Sequence, residues 1–301
     1  MIAITGISGY IGYHLANYLK NNNKDFKGLI KPDTSAKDTG LLDKSLYKYV
    51  FVNFFDPDSL TEALKGCHSI VHLIGTIYRP KEMGLEAIHK DVTNTLIKAA
   101  KKAGIKKIVY VSAIGADLKA PSEYHLTKAQ AEEEIKKSGI DYVILRSSLV
   151  FGKTCGLRNS KIIAKLADTI KNSPFIPVVG SGKNKLQPIY IMDLVRCISE
   201  SLDKIEKNQT IEIGGPEVMA FEEITRTVSR AVGMENKPVV HISKPIAAIL
   251  ALIMGKISDK PKITTDQVKM IDKDNVCTDN LMGKNFKFSL KSMADTVSDL
   301  L

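Results

Sequence analysis

Ser112, Tyr124 and Lys128 are the residues of this chain whose types and spacing suit acid/base chemistry. Residues four apart on a helix share a face, so Tyr124 and Lys128 point the same way. A free phenol titrates at about 10, and a neighbouring ammonium favours the phenolate and lowers that value. Three units of lowering correspond to roughly 4 kcal/mol of differential stabilisation. Ser112, at the end of a strand, is placed to hold a substrate oxygen from the other side. Such a trio can move a proton to or from an alcohol or carbonyl oxygen, but the carbon-centred step needs a redox cofactor, which another part of the chain must bind.

The N-terminus offers the means. Ile2-Ala3-Ile4-Thr5 reads as a buried strand, Gly6-Ile7-Ser8-Gly9-Tyr10-Ile11-Gly12 follows at once, and an amphipathic helix runs over about 11–19. Strand, glycine turn and helix is the context a dinucleotide-binding motif requires. Gly6 permits the tight turn, Gly9 lets the backbone approach a pyrophosphate, and Gly12 lets helix and strand pack closely. The helix N-terminus then presents N–H groups and a positive dipole end to the phosphates. Ser8, Tyr10 and Ile11 complete the turn and are assigned to the cofactor with the glycines. Glycines also serve ordinary turns, so it is the position at the head of an alternating strand/helix chain that gives the triplet its meaning. A second strand over 26–30 ends in Lys31, with no Asp or Glu there. An acid at this place holds the ribose 2′-hydroxyl of NAD, whereas a base suits the 2′-phosphate of NADP. NADP(H) is therefore preferred over NAD, the alternative being that Lys31 is a solvated loop charge.

The elements that must hold these groups follow in order. Strands are expected over 49–52, 69–74, 106–112 and 141–146, with helices starting near Asp56-Pro57-Asp58-Ser59, over 82–103, and through Tyr124 to about 139. This alternation predicts an α/β fold, a Rossmann-type doubly wound parallel sheet over 1–152. Residues 153–301 are expected to form mainly a smaller C-terminal α/β lobe for substrate or partner, some of whose segments return to the sheet. Its predicted elements are helices over 160–171, 192–202 and 221–232 and strands over 176–179, 210–213 and 239–242. Asp193 reads as a cap for the helix beginning near 194. The stretch 245–257 is apolar nearly all round, which by default makes a buried core helix. Its alternative is an interfacial or partner-docking helix, with Lys256, Lys260 and Lys262 meeting anionic headgroups. His72 and His125 read as core histidines rather than chemical groups, and Arg146 as either a ligand contact or one half of a structural ion pair.

Composition bounds the rest. With 301 residues, 44% of them hydrophobic and 25% charged, the chain can bury a sizeable core. Lys and Arg number 43 against 33 Asp and Glu, a net charge of +10, but the lysines are scattered and no basic-aromatic interleaving marks a nucleic-acid protein. Cys67, Cys155, Cys197 and Cys277 lie far apart without metal-ligand spacing, so reduced thiols and no metal are expected. The chain opens directly on an apolar strand and its longest apolar run, 246–254, is short of the ~20 residues that span a bilayer. The expected location is cytoplasmic, with association at the inner membrane surface as a further expectation.

Taken together, Gly6, Gly9 and Gly12, Ser112, and Tyr124 with Lys128 resemble the extended short-chain dehydrogenase/reductases of NAD-dependent epimerase/dehydratase type. The likeness also runs through Asp56-Pro57-Asp58-Ser59-Leu60, Val71-His72-Leu73-Ile74-Gly75, Leu145-Arg146-Ser147-Ser148 with Phe151-Gly152, and Gln187-Pro188-Ile189 to Asp193. More narrowly the chain is similar to the atypical branch that contains the nucleotide-binding accessory subunit of respiratory complex I. Ile263-Thr264-Thr265-Asp266-Gln267-Val268 and Asp274-Asn275-Val276 share in that likeness. The resemblance implies that Tyr124 is the general acid/base, that Lys128 binds the nicotinamide ribose and lowers the Tyr124 pKa, and that Ser112 orients the substrate carbonyl. It further implies that Leu73 and Gly75 lie along the cofactor and that the Arg146–Ser148 strand end faces the nicotinamide. Asn53 stands where the family has an adenine-contacting Asp, and its amide oxygen can still accept from the adenine amine. The helix Asn of many members falls at about Asp91, so no proton-relay role is carried there. Two functions follow. One is an NAD(P)-dependent oxidoreductase, or epimerase/dehydratase-like enzyme, acting on a carbonyl or sugar-nucleotide substrate. The other is a catalytically quiet NADP(H)-binding structural or regulatory protein with a respiratory-complex or membrane-surface partner; a homodimer through exposed helices at a sheet edge suits either.

Overall fold

The computed structural model describes residues 1–32, 47–77, 83–154, 160–257, 263–271, 273–279 and 281–296. The expectations for Cys155, Lys260, Lys262 and the start of the helix over 82–103 lie outside these residues, as does the side chain of Lys256.

The first half alternates as the sequence predicts: β1 (Ile2–Thr5), α1 (Tyr10–Asn21), β2 (Phe26–Ile30), β3 (Tyr49–Phe51), α2 (Pro57–Leu64) and β4 (Ser69–His72). A π-helical turn over Ala87–Asp91 then leads into α3 (Val92–Lys102), followed by β5 (Lys107–Ala113), α4 (Glu123–Lys137), β6 (Asp141–Ser147) and β7 (Val150–Phe151). The second half comprises α5 (Lys161–Lys171), β8 (Ile176–Val179), β9 (Lys185–Leu186), β10 (Ile189–Tyr190), α6 (Ile191–Asp203) and β11 (Gln209–Ile213). It closes with β12 (Met219–Ala220), α7 (Phe221–Ala231), β13 (Val239–Ile242), α8 (Lys244–Ile257), α9 (Thr265–Met270) and α10 (Leu281–Asn285).

Seven parallel strands form the central sheet in the order β11-β6-β5-β4-β1-β2-β3. The order reverses direction at β1 and β4, and ligands of doubly wound sheets sit in the crevice at the strand ends there. The seventh strand, β11, returns from the C-terminal half and pairs with β6, Ile213 beside Ser147.

The period-2 alternation of the strands divides the core in two. Ile2 and Ile4 of β1, Val109 and Val111 of β5, and Val143 and Leu145 of β6 face one cluster with α1 and α6. Ala3, Ile108, Tyr110 and Ile144 face the other, with α2, α3 and α4. Burial on both faces is why these strands read as continuous apolar runs rather than alternating ones. The same alternation assigns Ser112 to the face of Tyr110, hence towards α4.

Helix α8 departs from the default expectation of a buried core helix. Among its described side chains only the small residues Ala247 and Ala251 are buried, while Ile246, Ile249, Leu252 and Ile253 are each more than half exposed. A helix apolar all round has no polar face to turn outward, and here its small-residue stripe is the side that packs. No helix among the described residues is long and apolar enough to cross a membrane.

Candidate active site

A single cleft of about 1750 Å³ runs along the strand ends from the glycine turn to the C-terminal half. Gly6, Gly9, Tyr10, Ile11 and Gly12 line one end, Leu73 and Gly75 its floor, and Ser112, Tyr124, Lys128 and Ser148 the middle. Among the predicted site residues Ser8, Lys31, Asn53 and Arg146 do not line it. Asn53 is exposed and its Oδ1 accepts the Phe55 N–H at 3.0 Å. Lys31 is exposed just beyond β2.

The glycine turn fits a pyrophosphate. Gly6 has φ +71°, the left-handed region that glycine enters without penalty. A Cβ on Gly12 would lie 2.3 Å from the Gly6 carbonyl oxygen and 2.6 Å from Ile7 Cα, so only glycine lets α1 sit this close to the turn. Gly9 is the N-cap of α1 without any side-chain cap, and the first turn carries no acid. Together these leave an N-terminus suited to an anion.

Tyr124 and Lys128 share one face of α4, as their spacing requires, but their electrostatics differ from the expected pairing. Burial pushes the Tyr124 phenol up to about 12 rather than down. Lys128 is 4% exposed, and burial lowers its ammonium to about 7 against an upward pull from Glu132. Its Nζ donates to the Val111 carbonyl at 2.8 Å and lies 4.4 Å from the centroid of the Tyr110 ring. The ammonium is spent on the sheet and is itself easily neutralised, so burial dominates at the phenol.

Ser112 lines the cleft, but its hydroxyl proton is committed within the protein. Its Oγ donates to Glu132 Oε1 at 2.5 Å. Glu132 lies one further turn along the face of Tyr124 and Lys128, is 1% exposed, and is clamped by the Arg146 guanidinium at 3.0 Å from Nε and 2.7 Å from Nη2. The sheet register sets Ser112 beside Arg146, which brings both to the one carboxylate. Of the two readings of Arg146, the ion pair is the one observed. Ser148 Oγ donates to Asn275 Oδ1 at 2.6 Å, tying the β6 strand end to the C-terminal segment.

Two histidines fix the floor. Thr93 donates its hydroxyl to the His89 carbonyl, so the 3.0 Å contact to His72 Nε2 is an N–H donated by His72. Thr5 must then donate to His72 Nδ1 at 2.7 Å while accepting the Leu73 N–H at 3.2 Å. His89 Nε2 accepts the Thr76 N–H at 3.1 Å, and Thr127 donates to backbone carbonyls of α4, which leaves His89 Nδ1 to donate to Thr127 at 2.8 Å. Every polar atom of both rings is committed in the neutral form, and burial lowers each pKa to about 3. His72 is therefore the core histidine expected. His89 stands edge-on to Tyr124 with ring centroids 5.7 Å apart. A Cβ on Gly75 would sit 3.3 Å from Lys128 Nζ and 3.4 Å from His89 Nε2, so both residues lie close against the floor at this glycine.

Sequence reasoning missed Glu132, His89 and Asp266. Glu132 continues the four-residue spacing from Lys128, a signal present in the sequence. His89 lies in the π-helical turn, which regular helix spacing does not anticipate, and it is buried; Asp91, to which no role is carried, is exposed. The Asp266 carboxylate accepts from Ser122 Oγ at 2.8 Å, from the Glu123 N–H at 2.9 Å and from the Tyr124 N–H at 3.2 Å. It thus caps α4 from far along the chain, next to the intrinsic cap in which Ser122 Oγ accepts the His125 N–H. Asp193 does not cap α6 from outside but sits in its first turn and accepts the Lys291 N–H.

With this geometry in hand, a profile of the NAD dependent epimerase/dehydratase family matches residues 2–214. The chain belongs to that family. It is 25% identical over 297 residues to the mitochondrial NADH dehydrogenase [ubiquinone] 1 alpha subcomplex subunit 9 of Arabidopsis thaliana, covering 93% of this chain and 71% of that one. The 40 kDa subunit of NADH-ubiquinone oxidoreductase from Neurospora crassa is 24% identical over 234 residues, 77% of this chain and 60% of the subunit. A putative UDP-glucose 4-epimerase of Methanocaldococcus jannaschii is 24% identical over 268 residues, 79% of this chain and 85% of the epimerase. Among solved structures, the dTDP-glucose 4,6-dehydratase DesIV of Streptomyces venezuelae, with NAD bound, superposes with a TM-score of 0.76 at 18% identity, covering 99% of this chain and 95% of DesIV. The UDP-glucose 4-epimerase of Thermotoga maritima gives 0.75 at 17%, covering 99% and 96%. At these identities the superpositions establish the epimerase/dehydratase-type α/β fold with its parallel sheet.

Proposed function

We propose that this member of the family is an NAD(P)-dependent oxidoreductase acting at a carbon that bears oxygen, with Tyr124 as its acid/base. The observation that carries this reading is one cleft lined by Gly6, Gly9 and Gly12 at one end and by Tyr124 and Lys128 further along. A bound dinucleotide would rest its pyrophosphate on the glycine turn and supply a hydride acceptor or donor at the nicotinamide ring. Tyr124 would take the proton from an alcohol oxygen on oxidation and return it on reduction. That role needs a phenol well below the value of about 12 that burial gives it. Lys128 is the group able to bring it down, because an anionic ligand favours the ammonium form and a fully charged ammonium favours the phenolate. Leu73, Gly75 and Ser148 are assigned to the cofactor wall; Ser112 and Arg146 are assigned to holding Glu132 and the β5–β6 strand ends. Lys31 beyond β2 favours the 2′-phosphate of NADP over NAD.

The test is Tyr124→Phe, followed by NADPH consumption across a panel of carbonyl compounds. Removal of a general acid/base lowers turnover by about 10²–10⁴-fold. Dinucleotide affinity, read by quenching of NADPH fluorescence, should be unchanged. A variant with full turnover refutes the assignment.

One observation favours a second reading, that of a quiet nucleotide-holding protein with a complex partner. Ser112 spends its proton on Glu132, and Lys128 is bonded to the sheet rather than directed to the phenol. The relatives named as respiratory-complex subunits support it too. Under that reading NADPH stabilises the chain, by about 2.7 kcal/mol at a hundredfold excess over Kd, without being consumed.

A further inference from the structure

Beyond Tyr124 and Lys128 the cleft changes its chemistry. Ile162 and Leu166 of α5, Val179 of β8, Phe221 of α7, and Leu250 and Met254 of α8 line this half. Among the described residues no arginine lines the cleft. A nucleoside diphosphate gains from directed, paired N–H donors on its phosphate oxygens, the role arginine fills best. Lys165, between Ile162 and Leu166 on α5, and Lys119, Lys269 and Lys273 also line the cleft, so phosphate oxygens would meet separate ammonium groups there rather than a paired fork of donors, beside a wall that is mainly apolar. Hydrocarbon, by contrast, gains with every methylene it buries there. Drug-sized ligands fill about 300–1,000 Å³, so a cleft of about 1750 Å³ has room for a dinucleotide and a second molecule. The wall also reaches solvent. Leu250 lines the cleft and is 43% exposed, on the same helix as Ile246, Ile249, Leu252 and Ile253.

From this wall we propose that the substrate is an amphiphile: an alcohol or carbonyl head placed at Tyr124, and a long hydrocarbon chain lying between Ile162 and Leu166 on one side and Leu250 and Met254 on the other. The chain leaves the cleft along α8. The placement of the head rests on the oxidoreductase reading given above; the site for the chain rests on the wall alone.

The experiment is a series of n-alkanols from butanol to dodecanol, titrated into the dinucleotide-free full chain and read by displacement of a fluorescent fatty acid. Affinity should climb about fourfold per added methylene, the factor that corresponds to ~0.8 kcal/mol. Leu250→Asp, at a position exposed enough for the fold to carry it, should weaken dodecanol at least tenfold. Val218→Asp, half-exposed and outside the cleft, should leave it unchanged. UDP-glucose and dTDP-glucose should displace nothing. Affinity that is flat with chain length, a Leu250→Asp series that matches the wild type, or a nucleotide sugar that binds tighter than dodecanol overturns the proposal. Because the series needs no cofactor, its result stands apart from that of the NAD(H) and NADPH titrations, whose failure would remove the oxidoreductase reading instead.

Discussion

Glu132→Gln is the perturbation that separates support of the site from its chemistry. The wild-type carboxylate takes the Ser112 proton at 2.5 Å and two guanidinium nitrogens at 3.0 and 2.7 Å. Glutamine can accept from Arg146 with its one oxygen and donate its amide N–H₂ to Ser112 Oγ, but it carries no charge to offset the guanidinium, and where its N–H₂ faces Arg146 Nε a donor meets a donor. Removing one partner of a buried ion pair costs about 3–5 kcal/mol, because the other charge is left without compensation. Arg146 keeps 24% of its side chain exposed, which lets water take up part of that charge and brings the expected loss to about 2–4 kcal/mol. For a chain of this size each kcal/mol moves Tm by about 2 °C. Thermal unfolding should therefore shift by roughly 4–8 °C. Arg146→Met combined with Glu132→Leu should recover most of the loss, since an apolar pair of similar volume is close to neutral at such sites. A Glu132→Gln variant within about 0.5 kcal/mol of wild type, or a double variant as unstable as the single one, would refute the view that this pair is a desolvated strut between α4 and the strand ends.

Gly12→Ala should abolish dinucleotide binding, because its Cβ would fall 2.3 Å from the Gly6 carbonyl oxygen and must push α1 off the turn; unchanged NADPH titration would contradict this. Asp266→Ala removes three bonds at the start of α4 and should cost about 1–2 kcal/mol, as loss of a helix cap does, while Asp266→Asn recovers part of it; equal stability of the alanine variant in urea would count against the cap. The Lys128 ammonium titrates at about 7 when folded and at about 10.4 when unfolded, so between those values the unfolded chain binds the extra proton and stability rises with pH by this contribution. Subtracting the curve of Lys128→Met should expose that rise, and identical pH slopes over 7–10.4 would refute it. His72 and His89, both lowered to about 3, give stability that is lost as pH falls from about 6.5 towards 3; His89→Gln should flatten this loss by up to one proton per molecule in an acid titration followed by circular dichroism.

How far the site could be read in advance depended on the range of the interaction. The glycine turn, the α4 pair and the alternation of strands and helices are local patterns, and strand burial on both faces, helix spacing and turn conformation all agree on them. The direction in which Ser112 points was local information too: Val109 and Val111 against Tyr110 fix the parity of β5, and parity places the hydroxyl on the α4 side. What parity cannot give is the partner, since Glu132 and Arg146 meet only through the register of β5 against β6. The same holds for the C-terminal segment. Asp266 and Asn275 are unremarkable polar residues in sequence, yet one caps the helix that carries Tyr124 and the other binds Ser148 at 2.6 Å and reaches the Ile114 carbonyl at 3.2 Å. The π-helical turn is the opposite failure: a π turn within a helix leaves no composition signal, and the buried polar residue it carries is His89, while Asp91 is exposed. Helix α8 shows a third limit, because hydrophobicity alone reads as burial, whereas Ala247, Leu250 and Met254 of this helix line the cleft and Ile246, Ile249, Leu252 and Ile253 are exposed. On the oxidoreductase reading proposed above, the tuned phenol would be a property of the loaded cleft: with Lys128 bonded to the sheet and lowered by burial to about 7, a bound anion would favour its ammonium form, and that ammonium would in turn favour the Tyr124 phenolate.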